Sequence, residues 1–159
     1  MSDVIECRLF GNPEIRLNGE LVLFSFSKID ALIYYLLITK SASRDEAAGL
    51  FWPDKNEQNA KKNLRNAIYQ CNKLLGLELI KSPNKALLVL NDEIGIKVDV
   101  EQFMGNPKEH LSLYKDSFLK GFFLKDCESF EFWIIKMRSF YEKIFLQECF
   151  KKIESDIEG

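Results

Sequence analysis

The polar and apolar positions begin with a period of two and then change. IECRLFG, EIRLNG and ELVLFSF read as short strands. Ile15 and Leu17 alternate with Arg16 and Asn18, Asn12-Pro13 separates the first two segments, and Asn18-Gly19 is a strong hairpin signal. From Ser27 onward the apolar residues recur at helical spacing. Ser27 with Asp30 has the form of a capping box, and KIDALIYYLLIT is apolar enough for a largely buried helix. Ser43 with Glu46 repeats that signature ahead of RDEAAGLFW, which Pro53 ends. Asn56 is placed to cap a third helix running to Leu75, with Gly76 at its C-terminal position. LELIK, SPNK and ALLVLN then read as a strand, a turn with Pro83 at its second position, and a strand. The pattern predicts an α+β unit: strands, three helices, then a hairpin.

After Asp99 the chain changes character. VDVEQFMGNP is a transition broken at Asn106-Pro107, and HLSLYKDSFLKGFF reads as a short helix and turn. The segment ESFEFWIIKMRSFYEKIFLQECFKKIESD follows as one long amphipathic helix. Its Phe130, Trp133, Ile134, Met137, Phe140, Tyr141, Ile144 and Phe145 require a surface to pack on. The expected division is 1–98 for the mixed unit and 99–159 for a short all-α one. No segment repeats, and no tract is of low complexity.

The third helix is the most informative stretch. Ala60, Leu64, Ala67, Ile68, Cys71, Leu74 and Leu75 fall on one side of a helical wheel and are expected in the core. Opposite them lie Lys62, Asn66, Tyr69 and Lys73, flanked by Arg65 and Gln70. Charge concentrates at the same place. From Lys55 to Lys85 there are seven basic residues against two acids, a net +5 in a chain whose total is −2. A surface helix needing only solubility mixes Glu with Lys four residues apart; here Glu57 is the only acid of the helix. Cations suit phosphates, and Asn and Gln suit adenine edges, so the face fits a DNA major groove. Lys61 adds to the cations of the helix, and Lys81 and Lys85 are expected at the tip of the hairpin.

These residues also carry a family resemblance. SRDEAAGLFWPDKNEQNAKKNLRNAIYQCNKLLG resembles the SR-x-E, LWPD, E-Q-A and NLR-x-A pattern of SARP-like (antibiotic-regulatory-protein) transcriptional regulators. LYKDSFLKGFFLKDCESFEFWIIKMRSFYEKI is similar to the LY-x-G-x-FL-x-G, W and R pattern of the bacterial transcriptional activator domain that follows in that family. The resemblance implies an OmpR-type winged helix-turn-helix: an N-terminal antiparallel sheet, recognition helix 56–75, and a C-terminal β-hairpin wing. The tetratricopeptide-like helical domain would then begin in 99–159.

It further implies a cytoplasmic, bacterial DNA-binding activator. Lys61, Lys62, Arg65, Asn66, Tyr69, Gln70, Lys73, Lys81 and Lys85 would form its DNA-binding set. Asp54, Lys55 and Glu57, in the loop before the third helix, match the segment that meets RNA polymerase in related winged helices. Two features depart from the pattern: Asp116 stands where LY-x-G has glycine, and the C-terminal half of the helix has Tyr69, Gln70 and Asn72 where that family is richer in arginine. A pI near 5.6 is low for a DNA-binding domain, so a homodimer or tandem sites would be needed to supply affinity. The alternative reading is a winged-helix protein-interaction module that no longer binds DNA.

Other chemistry finds little support in the sequence. His110 is the only histidine, which excludes a multi-histidine metal site, and it reads as a loop histidine. Cys7, Cys71, Cys127 and Cys149 form no CxxC pair and are expected as reduced, buried thiols. Glu128 and Glu131 suit the start of a helix, where they complement its dipole. Trp52 and Trp133 read as core anchors. Neither an enzyme nor a cofactor is expected. The longest apolar run, ALIYYLLI, is eight residues, too short to span a bilayer.

Overall fold

The computed structural model describes residues 2–158. Strands β1 (Val4–Arg8), β2 (Glu14–Leu17) and β3 (Glu20–Leu21) form a meander in which Ile5 faces Leu17 and Cys7 faces Ile15. Ile5, Cys7 and Ile15 are buried, as the alternation requires. Asn18 (φ 51°) and Gly19 (φ 88°) both occupy the left-handed region, which a two-residue primed turn demands. Only Glu20 and Leu21 of ELVLFSF join the ladder. Beyond them Val22, Phe24 and Phe26 still pack on the core, so the alternation records burial without strand pairing.

The expected all-antiparallel N-terminal sheet is corrected to a mixed one. A fourth strand, β7 (Gly95–Val98), pairs in parallel with β1, placing Ile96 beside Ile5. The sheet order is β3-β2-β1-β7.

Helices α1 (Ser27–Thr39), α2 (Arg44–Phe51) and α3 (Glu57–Leu75) lie where the periodicity places them. Their caps differ. Ser43 Oγ accepts from the Glu46 amide at 2.9 Å, and Asn56 Oδ1 from the Asn59 amide at 2.8 Å. Gly76 closes α3 at φ 69°. The expected Ser27 box does not form. Phe26 is the N-cap, without a side-chain hydrogen bond, and Ser27 is already helical. Burial of seven α1 residues, from Ile29 to Leu37, outweighs a missing cap worth about 1 kcal/mol.

Between α1 and α2 runs β4 (Ser41–Ser43), which pairs with β6 (Leu87–Leu90) to give a second sheet, β4-β6-β5, with β5 at Ile80–Asn84. The hairpin turn is Lys85-Ala86, and a bulge separates Lys81 from Asn84. Pro83 therefore sits in β5, not at the second position of the turn. An edge strand accepts it because no outer neighbour needs the missing N–H.

Asn72 joins hairpin to helix. Its Oδ1 accepts from the Leu79 and Ile80 amides at 3.0 and 3.1 Å, and its Nδ2 donates to the Ile80 carbonyl at 3.1 Å. Asn72→Ala is expected to cost about 2 kcal/mol, since half-buried backbone groups lose their partner. Urea unfolding measures it, and a loss under about 0.5 kcal/mol would show that water replaces the side chain.

The segment after β7 forms α4 (Asp99–Gly105), a 3₁₀ turn (Leu111–Leu113), irregular chain, and α5 (Glu128–Glu158). The short helix expected in HLSLYKDSFLKGFF shrinks to that turn. Leu119 (φ 51°) and Gly121 (φ 77°) are left-handed, which no right-handed helix tolerates. Arg138 of α5 holds this stretch, donating at 2.7 Å to the carbonyls of both Phe118 and Leu119.

The position expected as a domain boundary, 98/99, joins β7 to α4, and the apolar core runs across it. Asp99 accepts from the amides of Leu9 and Phe10 at 2.9 and 3.0 Å. Phe10 is enclosed by Phe103, Tyr114 and Tyr141, while Phe51 of α2 meets Phe130 of α5 at 5.0 Å. Trp133 packs against Tyr35 at 4.9 Å. No helix among the described residues is long and apolar enough to cross a membrane.

Candidate nucleic-acid interface

Helix α3 packs Ala60, Leu64, Ala67, Cys71 and Leu75 into the core. Ile68 is half-buried, and Leu74, expected in the core, is 54% exposed. Both lie at the rims of the apolar sector, where the contact with the body ends. Lys62, Arg65, Asn66, Tyr69 and Lys73 are exposed and Gln70 partly so. The Lys73 ammonium lies 5.7 Å from the centre of the Tyr69 ring.

The cations divide into three groups. Lys61 is neutralised by Asp45 at 3.2 Å and Glu57 at 3.0 Å, and these two partners, Glu57 foremost, push its pKa up. The Glu57–Lys61 contact is a helical pair four residues apart, so α3 carries one acid–base pair of the solubilising kind. Arg65 and Lys85 share an open groove of about 700 Å³ between the start of α2, the exposed flank of α3 and the hairpin. Lys62 and Lys73 stand on the outer face beside it. Among the described residues Lys62, Arg65, Lys73 and Lys85 have no acidic partner. Lys81 is not at the hairpin tip. It lies down β5 opposite Val89, outside the lining of the groove.

The groove contains one residue that sequence reasoning missed. Arg44, the first residue of α2, donates from its guanidinium to Ser82 Oγ at 2.7 Å, while its backbone N–H donates to the Ala86 carbonyl at 2.8 Å. The hairpin thus holds a third free cation beside Arg65 and Lys85. The only available signal was its place directly after an N-cap serine. Its role depends on β4 pairing with β6, which no local pattern announces.

Asp54 and Lys55 are exposed between α2 and α3, and Glu57 is exposed as the first residue of α3. Lys55 approaches Asp54 at 3.9 Å, too long and too exposed to constrain the loop.

No protein-family model matches the chain, and no curated protein matches it in sequence. A solved structure does resemble it: EmbR from Mycobacterium tuberculosis, determined in complex with a low-affinity phosphopeptide. The two agree with a TM-score of 0.72 at 16% sequence identity, over 98% of this chain and 46% of that one. The similarity is one of fold. This chain spans less than half the length of the EmbR chain it matches.

Proposed function

We propose that the protein is a DNA-binding transcriptional regulator of the SARP-like, OmpR-type winged-helix kind. In this reading α3 enters the major groove and the β5–β6 hairpin acts as the wing. The single observation that carries it is the outer face of α3: free cations, amides and a tyrosine, continuous with a groove where Arg44, Arg65 and Lys85 converge. Phosphates meet such a groove and base edges such a face. The fold shared with EmbR supports the same reading, as do the motif words around Trp52 and Arg65.

Within this proposal Asp54, Lys55 and Glu57 form the exposed segment that meets RNA polymerase beside the DNA, with Glu57 also paired to Lys61. A homodimer or tandem sites supply the affinity that a net charge of −2 withholds from one copy. α5 opens a tetratricopeptide-like helical domain. No catalytic role is assigned.

A second reading, a protein-interaction module without DNA binding, has its own support in α5. That helix exposes Phe132, Ile135, Leu146, Phe150, Ile153 and Ile157 along one further stripe.

Fluorescence anisotropy of labelled duplexes at several salt concentrations separates the two. Lys62→Ala with Arg65→Ala is expected to weaken binding and lower the slope of log K against log salt by about 2. Unchanged affinity in that pair would favour the interaction module.

A further inference from the structure

The side chains left on the outer face of α3 once the phosphate-facing cations are set aside are two carboxamides and a tyrosine. Arg65, the sole guanidinium of the helix, lines the groove shared with Arg44 and Lys85. Lys61 is held by two carboxylates. Lys73 rests near the Tyr69 ring. Asn66, Tyr69 and Gln70 remain for the base edges, at the middle of the helix. Lys62, one turn earlier, is a flexible point charge suited to a phosphate.

Resting on the DNA-binding reading, we infer that the operator of this protein has an A·T core read by Asn66 and Gln70, with the Tyr69 ring against a thymine methyl. The donor and acceptor geometry dictates this choice. A carboxamide pairs bidentately with N6 and N7 of adenine, whereas the O6 and N7 acceptors of guanine call for the fork of an arginine or a lysine. The middle of the α3 face offers two carboxamides and one aromatic ring, and the one guanidinium of the helix, Arg65, lines the groove.

Spacing sets the length of the core. Asn66 and Gln70 are one turn apart, about 6 Å along the helix. At about 3.4 Å per base pair they address positions about two steps apart, with Tyr69 near the pair between. A core of about three consecutive A·T pairs follows. Flanking positions are contacted through phosphates and are tolerant of sequence.

Selection of bound duplexes from a pool about 20 base pairs long, with a randomised centre, tests the inference on the whole chain. The selected sites should share the A·T core. Replacing one core pair by G·C should weaken binding about 5- to 150-fold. Substituting 7-deazaadenine for one core adenine should weaken wild type but leave Asn66→Ala or Gln70→Ala unaffected at the matching position. Deoxyuridine for thymine should act in the same way through Tyr69→Ala. Recovery of a G-containing core would overturn the inference and leave the DNA-binding reading intact. So would salt-dependent binding with no base preference. Failure to retain any duplex at low salt would overturn both.

Discussion

Phe10→Ala is expected to destabilise the protein by about 3–5 kcal/mol, the range for removing a fully enclosed aromatic side chain. Phe10 has no exposed surface and lies two residues past the end of β1. Its ring meets Phe103 of α4 edge-on at 5.3 Å, Tyr141 of α5 edge-on at 5.6 Å, and Tyr114 at 4.9 Å. One side chain from the N-terminal sheet therefore lies among three from beyond residue 98. Truncation leaves a cavity between regions that the sequence assigns to different domains, and rigid rings on three sides cannot close it. A loss of that size is a large part of the 5–15 kcal/mol available to a typical domain.

Urea unfolding followed by circular dichroism measures the effect. Wild type should unfold in one transition, because the core is shared, and Phe10→Ala should shift that transition as a whole. Two separated transitions in wild type, with only one of them moved by the substitution, would show that the halves are stabilised independently.

The second large effect concerns Asp30 and pH. Burial on α1 pushes its carboxyl up to about 6, only partly offset by a hydrogen bond from its own backbone amide. The charged groups facing it do not compensate. Across the helix interface lies Cys71 of α3, itself pushed up to about 12 by burial and then by the Asp30 charge. Tyr34, one turn along α1, is raised by burial first, and then by the charges of Asp30 and Cys7.

The folded pKa exceeds the value near 3.8 expected of the unfolded chain. The native state therefore binds more protons between these values, and stability falls as pH rises from about 4 to about 6. Above that the full cost is present, about 2–3 kcal/mol for a shift of this size in a carboxyl that water still partly reaches. Asp30→Asn removes the ionisation. The variant should match wild type near pH 4 and exceed it by about 2 kcal/mol at pH 7. Because other carboxylates titrate in the same range, the quantity to measure is the difference between the two proteins across pH. A difference that stays flat from pH 4 to 7 would show that the Asp30 carboxylate is solvated in the native state.

What the chain determined by itself is what acts over a few residues. Ser43 and Asn56 cap α2 and α3 because an N-cap oxygen meets an amide only three residues away. Gly76 ends α3, and Asn18-Gly19 turns β2 into β3, because these positions need backbone angles that few residues adopt. The buried and exposed faces of α3 follow from a period of 3.6, and the α+β order follows from the change of period at Ser27. The bare cations Lys62, Arg65 and Lys73 were visible for the same reason.

Tertiary structure decided everything that depends on a distant partner. β4 has three residues and β7 four, too short for any periodicity, and they exist because β6 and β1 offer them ladders. Ser27 lost its capping role because burial of α1 sets where that helix begins. Lys61 left the cationic set because Asp45, which folding brings alongside, joins Glu57 one turn away in pairing with it, and Arg44 joined because the hairpin folds over the start of α2. Asn72, an exposed-looking polar residue of α3, is committed to the hairpin backbone. Local patterns specify which face a helix buries. Only the packed chain decides which of the remaining charges are neutralised, which are aimed, and which are left free to meet a partner.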